Sequence, residues 1–147
     1  MEIGGLPLHP LVIHAAVVFA PLAALCAVGY AVASGLRDRL RWPMVALAVV
    51  ATGAVVAAYL TGRDLLESRP ALGTKPLVGT HEDRASLLLW VALGFGTVAL
   101  VAGWLHARAG AVSVVLRVAL AVAAVALLVQ VVRTGDAGTR AVWGVLG

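Results

Sequence analysis

Residues 85–107 read ASLLLWVALGFGTVALVAGWLHA, an apolar run flanked by Arg84 and Arg108 with no Asp, Glu, Lys or Arg inside it. At about 1.5 Å of rise per helical residue, such a run crosses the roughly 30 Å of bilayer hydrocarbon. Two further charge-free runs lie between Glu2 and Arg37 and between Arg41 and Arg63. A fourth apolar stretch, from Ala111 to Val132, is broken only by Arg117 near one end, where a long side chain can snorkel to the headgroups. Four such segments in 147 residues, 62% of them hydrophobic and 12% charged, leave too little polar surface to cover a water-soluble domain. The expected fold is all-α: an antiparallel, integral membrane four-helix bundle forming one membrane domain over residues 1–147.

The expected spans are 10–34, 43–61, 84–105 and 111–133. The first opens on Pro10, with proline at the first helical position, and runs past Pro21, whose missing amide should bend it. The link Arg37-Asp38-Arg39-Leu40-Arg41 leads through Trp42 and Pro43 into the second span and is short enough to imply antiparallel neighbours. From 63 to 83 the chain is polar, and Pro70, Gly73, Pro76 and Gly79 mark it as an irregular surface loop. Glu2 with no basic n-region argues against a cleaved signal peptide. Cys26, the single cysteine, excludes an internal disulfide and reads as a packing residue. The net charge of +4 falls at helix ends beside lipid headgroups, so the bilayer rather than nucleic acid is the expected partner.

Small residues recur at helical spacing on three spans, which lets membrane helices approach closely. The expected inward stripes are Ala46, Gly53, Ala57, Thr61 and Asp64; His81, Ala85, Ala92, Gly96, Ala99, Gly103 and His106; and Ala119, Ala123, Ala126, Gln130 and Thr134. A weak internal repeat is also legible. The first and third spans begin near histidine, and the second and fourth end in Thr61-Gly62-Arg63-Asp64 and Thr134-Gly135-Asp136, as in two duplicated helical hairpins. Alternating spans then bring His9, His14, His81, Arg63, Arg133, Asp64 and Asp136 to one side of the membrane. The other side carries Arg37, Arg39, Arg41, His106 and Arg108, with Tyr30, Trp42 and Trp104 as aromatic anchors. The dense basic cluster places that side in the cytoplasm of a bacterial inner membrane, and the N-terminus and the 63–83 loop outside.

His14 and His81 are the candidate site pair. Imidazoles on facing helices suit the axial positions of a b-type haem, since the chain has no Cys-x-x-Cys-His attachment motif, or a transition metal such as copper or zinc. His9, Arg63, Arg84 and Arg133 are possible additions, the arginines as clamps for propionates or anionic headgroups. The competing reading makes the histidines interhelical hydrogen-bonding groups in a cofactor-free accessory subunit. His106 is roughly 37 Å from His81 along the helix and cannot share a centre with it. No hydrolase or transferase motif is visible. A redox or membrane-protein partner and a homo-oligomer both stay open.

The opening Gly5-Leu6-Pro7-Leu8-His9-Pro10-Leu11-Val12-Ile13-His14 resembles the start of a bacterial membrane family known as domain of unknown function 2231. Thr61-Gly62, His81 and the glycine-spaced segment from Gly135 to Gly144 are similar to that family's pattern, so the resemblance covers essentially the whole chain. It implies a four-helix membrane protein without a settled activity. The chain departs from the pattern at Ala15-Ala16-Val17, where the family has an aromatic and a proline, and at Trp143, where it has a histidine.

Overall fold

Alanine, not leucine, is what the first helix turns inward. In α1 (Leu8–Val32) the buried positions include Ala16, Ala20, Ala23, Ala24 and Ala27, while Leu11, Leu25 and Val32 are more than 60% exposed. In water that arrangement would be inside out; in lipid, large apolar side chains face the acyl tails and small ones let helices close on each other. The computed structural model describes the backbone of residues 2–3 and 6–143 and the side chains of 8–143. Gly5 and Gly144, at the ends of the family-like pattern, lie outside the described residues.

A two-residue ribbon, β1 (Glu2–Ile3) against β2 (Leu6–Pro7), precedes α1. A 3-10 turn (Ser34–Leu36) then leads to α2 (Arg37–Ser68), a single helical turn α3 (Pro70–Gly73), α4 (Pro76–Trp104) and α5 (Ala111–Trp143). The four long helices are each long and apolar enough to cross a membrane. Each of α1 and α4 borders both α2 and α5, so the bundle is a square with α1 and α4 on one diagonal. The link from α4 to α5 turns at Gly110, whose φ of 70° suits glycine.

The helices run further than the expected spans, and the reasons are specific. Pro43 reads as a helix start, but α2 begins at Arg37, with Asp38 in its first turn complementing the helix dipole. Pro43 therefore sits in the helix interior, which membrane helices tolerate. The expected 63–83 loop shrinks to the stretch between Ser68 and Pro76. Arg63 and Glu67 pair at 3.8 Å, one turn apart, on the extension of α2, and Pro76 takes the first position of α4. Likewise α5 continues past Arg133, with Arg140 and Asp136 paired at 2.9 Å. Its 33 residues make about 50 Å, so the part beyond Arg133 stands clear of the hydrocarbon.

The seam between α2 and α4 is built by side chains entering glycine notches. Thr52 lies against Gly96, where an added Cβ would come within 2.6 Å of its Oγ1, and Val45 fills the space beside Gly103. Thr52 also donates to the Ala92 carbonyl at 3.2 Å. The expected α4 stripe is buried at Ala92, Gly96, Ala99 and Gly103, and the α5 stripe at Gln130 and Thr134. Ala126 is exposed instead, and in α2 Ala46 and Gly53 face outward while Met44, Ala48, Ala51 and Val55 form the core. Phasing α2 on Thr61 and Asp64 rotates the stripe away from the face that ends in Gly62.

Candidate paired-histidine site

His9 is the second residue of α1, and its ring packs against Gly62 of α2, where an added Cβ would approach Cε1 to 2.9 Å. Its Nδ1 donates to the Ala58 carbonyl at 2.9 Å and lies 3.3 Å from the Thr61 hydroxyl oxygen. His81, in the second turn of α4, repeats the arrangement on α5. Its ring rests on Gly138, with 3.0 Å between an added Cβ and Cε1, and its Nδ1 donates to the Thr134 carbonyl at 3.2 Å. In both hairpins the accepting carbonyl stands four residues before the glycine. Each glycine offers its bare backbone to a ring, and each carbonyl one turn earlier is the ring's acceptor.

The two rings meet with centroids 6.5 Å apart and planes inclined by 67°. A backbone carbonyl only accepts, so each Nδ1 is the donor, and among the described residues each Nε2 is left without a hydrogen-bond partner. The bundle thus gathers two imidazole rings, each braced by a backbone hydrogen bond, across its diagonal. Among the described residues, no group of three or more His, Cys, Asp or Glu side chains is gathered as metal ligands would be.

The sequence pairing of His14 with His81 is not the arrangement observed. His14 is exposed, and its Nδ1 donates to the Pro10 carbonyl one turn back at 2.7 Å. Residues five apart on a helix differ by about 140° in direction, so His9 and His14 cannot share a face. His9 is in register with the buried Ala16, Ala20, Ala23 and Ala27, a signal that was present in the sequence. His9 is also helical, although a residue before proline is biased towards extended backbone, and its ring is anchored to α2. Of the candidate arginines, Arg84 and Arg133 line one cleft between α4 and α5, whereas Arg63 lies on α2 beside Glu67. The Arg84 main-chain carbonyl accepts from Gln130 Nε2 at 3.3 Å and Thr134 Oγ1 at 3.2 Å, fixing α4 to α5 next to His81.

At the opposite end His106 has partners that sequence reasoning missed. Its Nε2 donates to Asp38 at 2.7 Å, and its Nδ1 lies 2.9 Å from the oxygen of the buried Tyr30 hydroxyl, which donates to the Ala102 carbonyl at 3.3 Å. Arg41 Nε donates to the Gly103 carbonyl at 2.9 Å. These contacts join the start of α2 to the ends of α1 and α4. Asp38 is almost fully exposed, so its pairing with His106 adds little.

Fold and site together define a polytopic membrane protein: a four-helix bundle of two like hairpins, with an imidazole pair where their first helices converge. The chain belongs to the family described as predicted membrane protein (DUF2231), whose pattern matches residues 5–145 and so takes in both hairpins and both histidines. No curated protein and no solved structure matches the chain.

Proposed function

We propose that His9 and His81 would hold the iron of a b-type haem, and that the protein takes part in electron transfer with a redox partner in the membrane. The observation that carries this reading is the pair itself: two imidazole rings whose Nδ1 atoms are tied to backbone carbonyls, leaving Nε2 as the nitrogen available to ligate. A bare zinc or copper ion asks for further protein ligands, whereas haem iron takes only two from the chain. Bound haem would supply one-electron chemistry through its iron.

Protein purified after expression with a haem precursor is expected to show a Soret band, with resolved alpha and beta bands on dithionite reduction. His9→Ala and His81→Ala should each abolish that spectrum, and His14→Ala should keep it. Spectra unchanged in His9→Ala and His81→Ala would sink the assignment. Bound copper or zinc without a Soret band would move the site to a bare transition metal. The second reading, a cofactor-free accessory subunit, is favoured by one observation: each ring already stitches its helix to the next through Nδ1. It predicts a blank spectrum, no bound metal and co-purifying subunits.

The basic residues Arg37, Arg39, Arg41 and Arg108 cluster at the end opposite the histidines, in or beside short connections. Basic residues total nearly the same at the two ends, and it is the density of the Arg37–Arg41 cluster, where the positive-inside rule weighs most, that supports placing that end in the cytoplasm of a bacterial inner membrane and the histidine end outside. A C-terminal alkaline phosphatase fusion is expected to be active and a green fluorescent protein fusion dark. The reverse result inverts the orientation.

A further inference from the structure

Between α4 and α5, at the histidine end, lies a half-open cleft of about 320 Å³ lined by the side chains of Arg84, Arg133 and Arg140. Asp136 is the one carboxylate in its wall, and it is paired with Arg140 through Nε at 2.9 Å, which leaves the terminal guanidinium nitrogens of that arginine unspent. Among the described residues neither Arg84 nor Arg133 has a side-chain hydrogen bond or carboxylate partner. Three arginines lining one cavity with a single carboxylate make a site for a multiply acceptor-bearing anion, and guanidinium forks match phosphate oxygens in particular.

The internal repeat provides a control within the molecule. The register that lays His9 on His81 and Gly62 on Gly138 lays Val12 on Arg84, Ala57 on Arg133 and Asp64 on Arg140. The first hairpin builds the same scaffold and the same histidine seat without any of these cations, so packing does not demand them. Their depth is equally specific. Arg84 is the last charge before the apolar run 85–107, and Arg133 is the first after 118–132, so the two mark the hydrocarbon boundary. Arg140 and Thr80 lie one to two turns further out, and Leu77 and Ala137 give the cleft an apolar flank. The cavity therefore occupies the headgroup layer.

We propose that this cleft binds a phosphate group, the chemistry shared by an anionic lipid headgroup and free phosphate, with the lipid as the source its depth favours. The inference is independent of what the histidines hold. The full chain is reconstituted in nanodiscs of phosphatidylcholine, of an equal mixture of phosphatidylcholine and phosphatidylglycerol, and of phosphatidylcholine with inorganic phosphate in the buffer. Thermal unfolding in the mixed bilayer is expected to occur roughly 5 °C higher than in phosphatidylcholine alone. The gain should disappear in the Arg84→Gln/Arg133→Gln variant and persist in Arg63→Gln, which removes a charge at the same membrane face outside the cleft. Should the double variant fold poorly in phosphatidylcholine, the exposed Arg133→Gln alone carries the test. A rise in the mixed bilayer only assigns a lipid; an equal rise with inorganic phosphate assigns a soluble anion to the same site. No rise in either, or a rise that survives loss of Arg84 and Arg133, overturns the proposal.

Discussion

Replacing Gly103 with alanine is expected to destabilise the bundle by about 2 kcal/mol, lowering the midpoint of thermal unfolding in detergent by roughly 4–8 °C. A Cβ at this position would overlap Cγ2 of Val45 and would meet Met44 at 3.9 Å. Valine is stiff at χ1, so Val45 cannot swing aside as a longer side chain would, and α2 or α4 must shift instead. The alanine itself favours a helix over glycine by up to about 1 kcal/mol, so the observed loss is what remains after that gain. Gly94 provides the matched control. Nothing lies within 4 Å of a Cβ there, and Gly94→Ala should leave stability unchanged or slightly raised. Val45→Ala introduced beside Gly103→Ala should recover most of the loss, because the two positions are in direct contact and their effects are not additive. If Gly103→Ala melts with Gly94→Ala, the notch does not hold the helices together.

The same chemistry explains what the sequence made legible. Charge spacing gave the four spans, because hydrocarbon excludes unpaired charge more strictly than any local propensity shapes a helix. The α4 stripe was readable because Ala92, Gly96, Ala99 and Gly103 serve one purpose, close approach to α2. Helix ends were less legible. Gly62, Gly135 and Pro43 carry the signals of boundaries, yet all three lie inside helices. Outside the hydrocarbon a helix can continue through glycine when the missing side chain makes room for a neighbour, and Gly62 makes that room for His9. In the sequence His14 lies about one turn into the first span, whereas His9 precedes Pro10, which biases it towards extended backbone just outside the helix. The alanine face of α1, once phased, points to His9 instead.

Gly62→Ala and Gly138→Ala are expected to leave the fold nearly as stable as before while disabling the paired-histidine site. An added Cβ would stand 2.9 Å from Cε1 of His9 in one hairpin and 3.0 Å from Cε1 of His81 in the other. In each case the obstacle is the tip of a rotatable side chain rather than backbone, so the ring moves and the helices need not. Helix propensity gained by alanine offsets much of the lost contact, and the net change in stability should stay under about 1 kcal/mol. The site has less tolerance. Moving the ring breaks its Nδ1 bond to Ala58 or Thr134, and loss of such a bracing hydrogen bond costs about 10–100-fold in metal affinity. The ring nitrogens of isotope-labelled histidine, followed by NMR, report the displacement whether or not a cofactor is bound. Gly135→Ala decides the register of the duplication. The Thr-Gly repeat in the sequence pairs Gly62 with Gly135, whereas the structure pairs Gly62 with Gly138 and leaves Gly135 with nothing within 4 Å. Gly135→Ala should therefore be silent, with His81 resonances unshifted, and Gly138→Ala should reproduce at His81 what Gly62→Ala does at His9. Equal effects of Gly135→Ala and Gly138→Ala would mean that His81 does not rest on α5 in this register, and the two-fold relation between the hairpins would have to be redrawn.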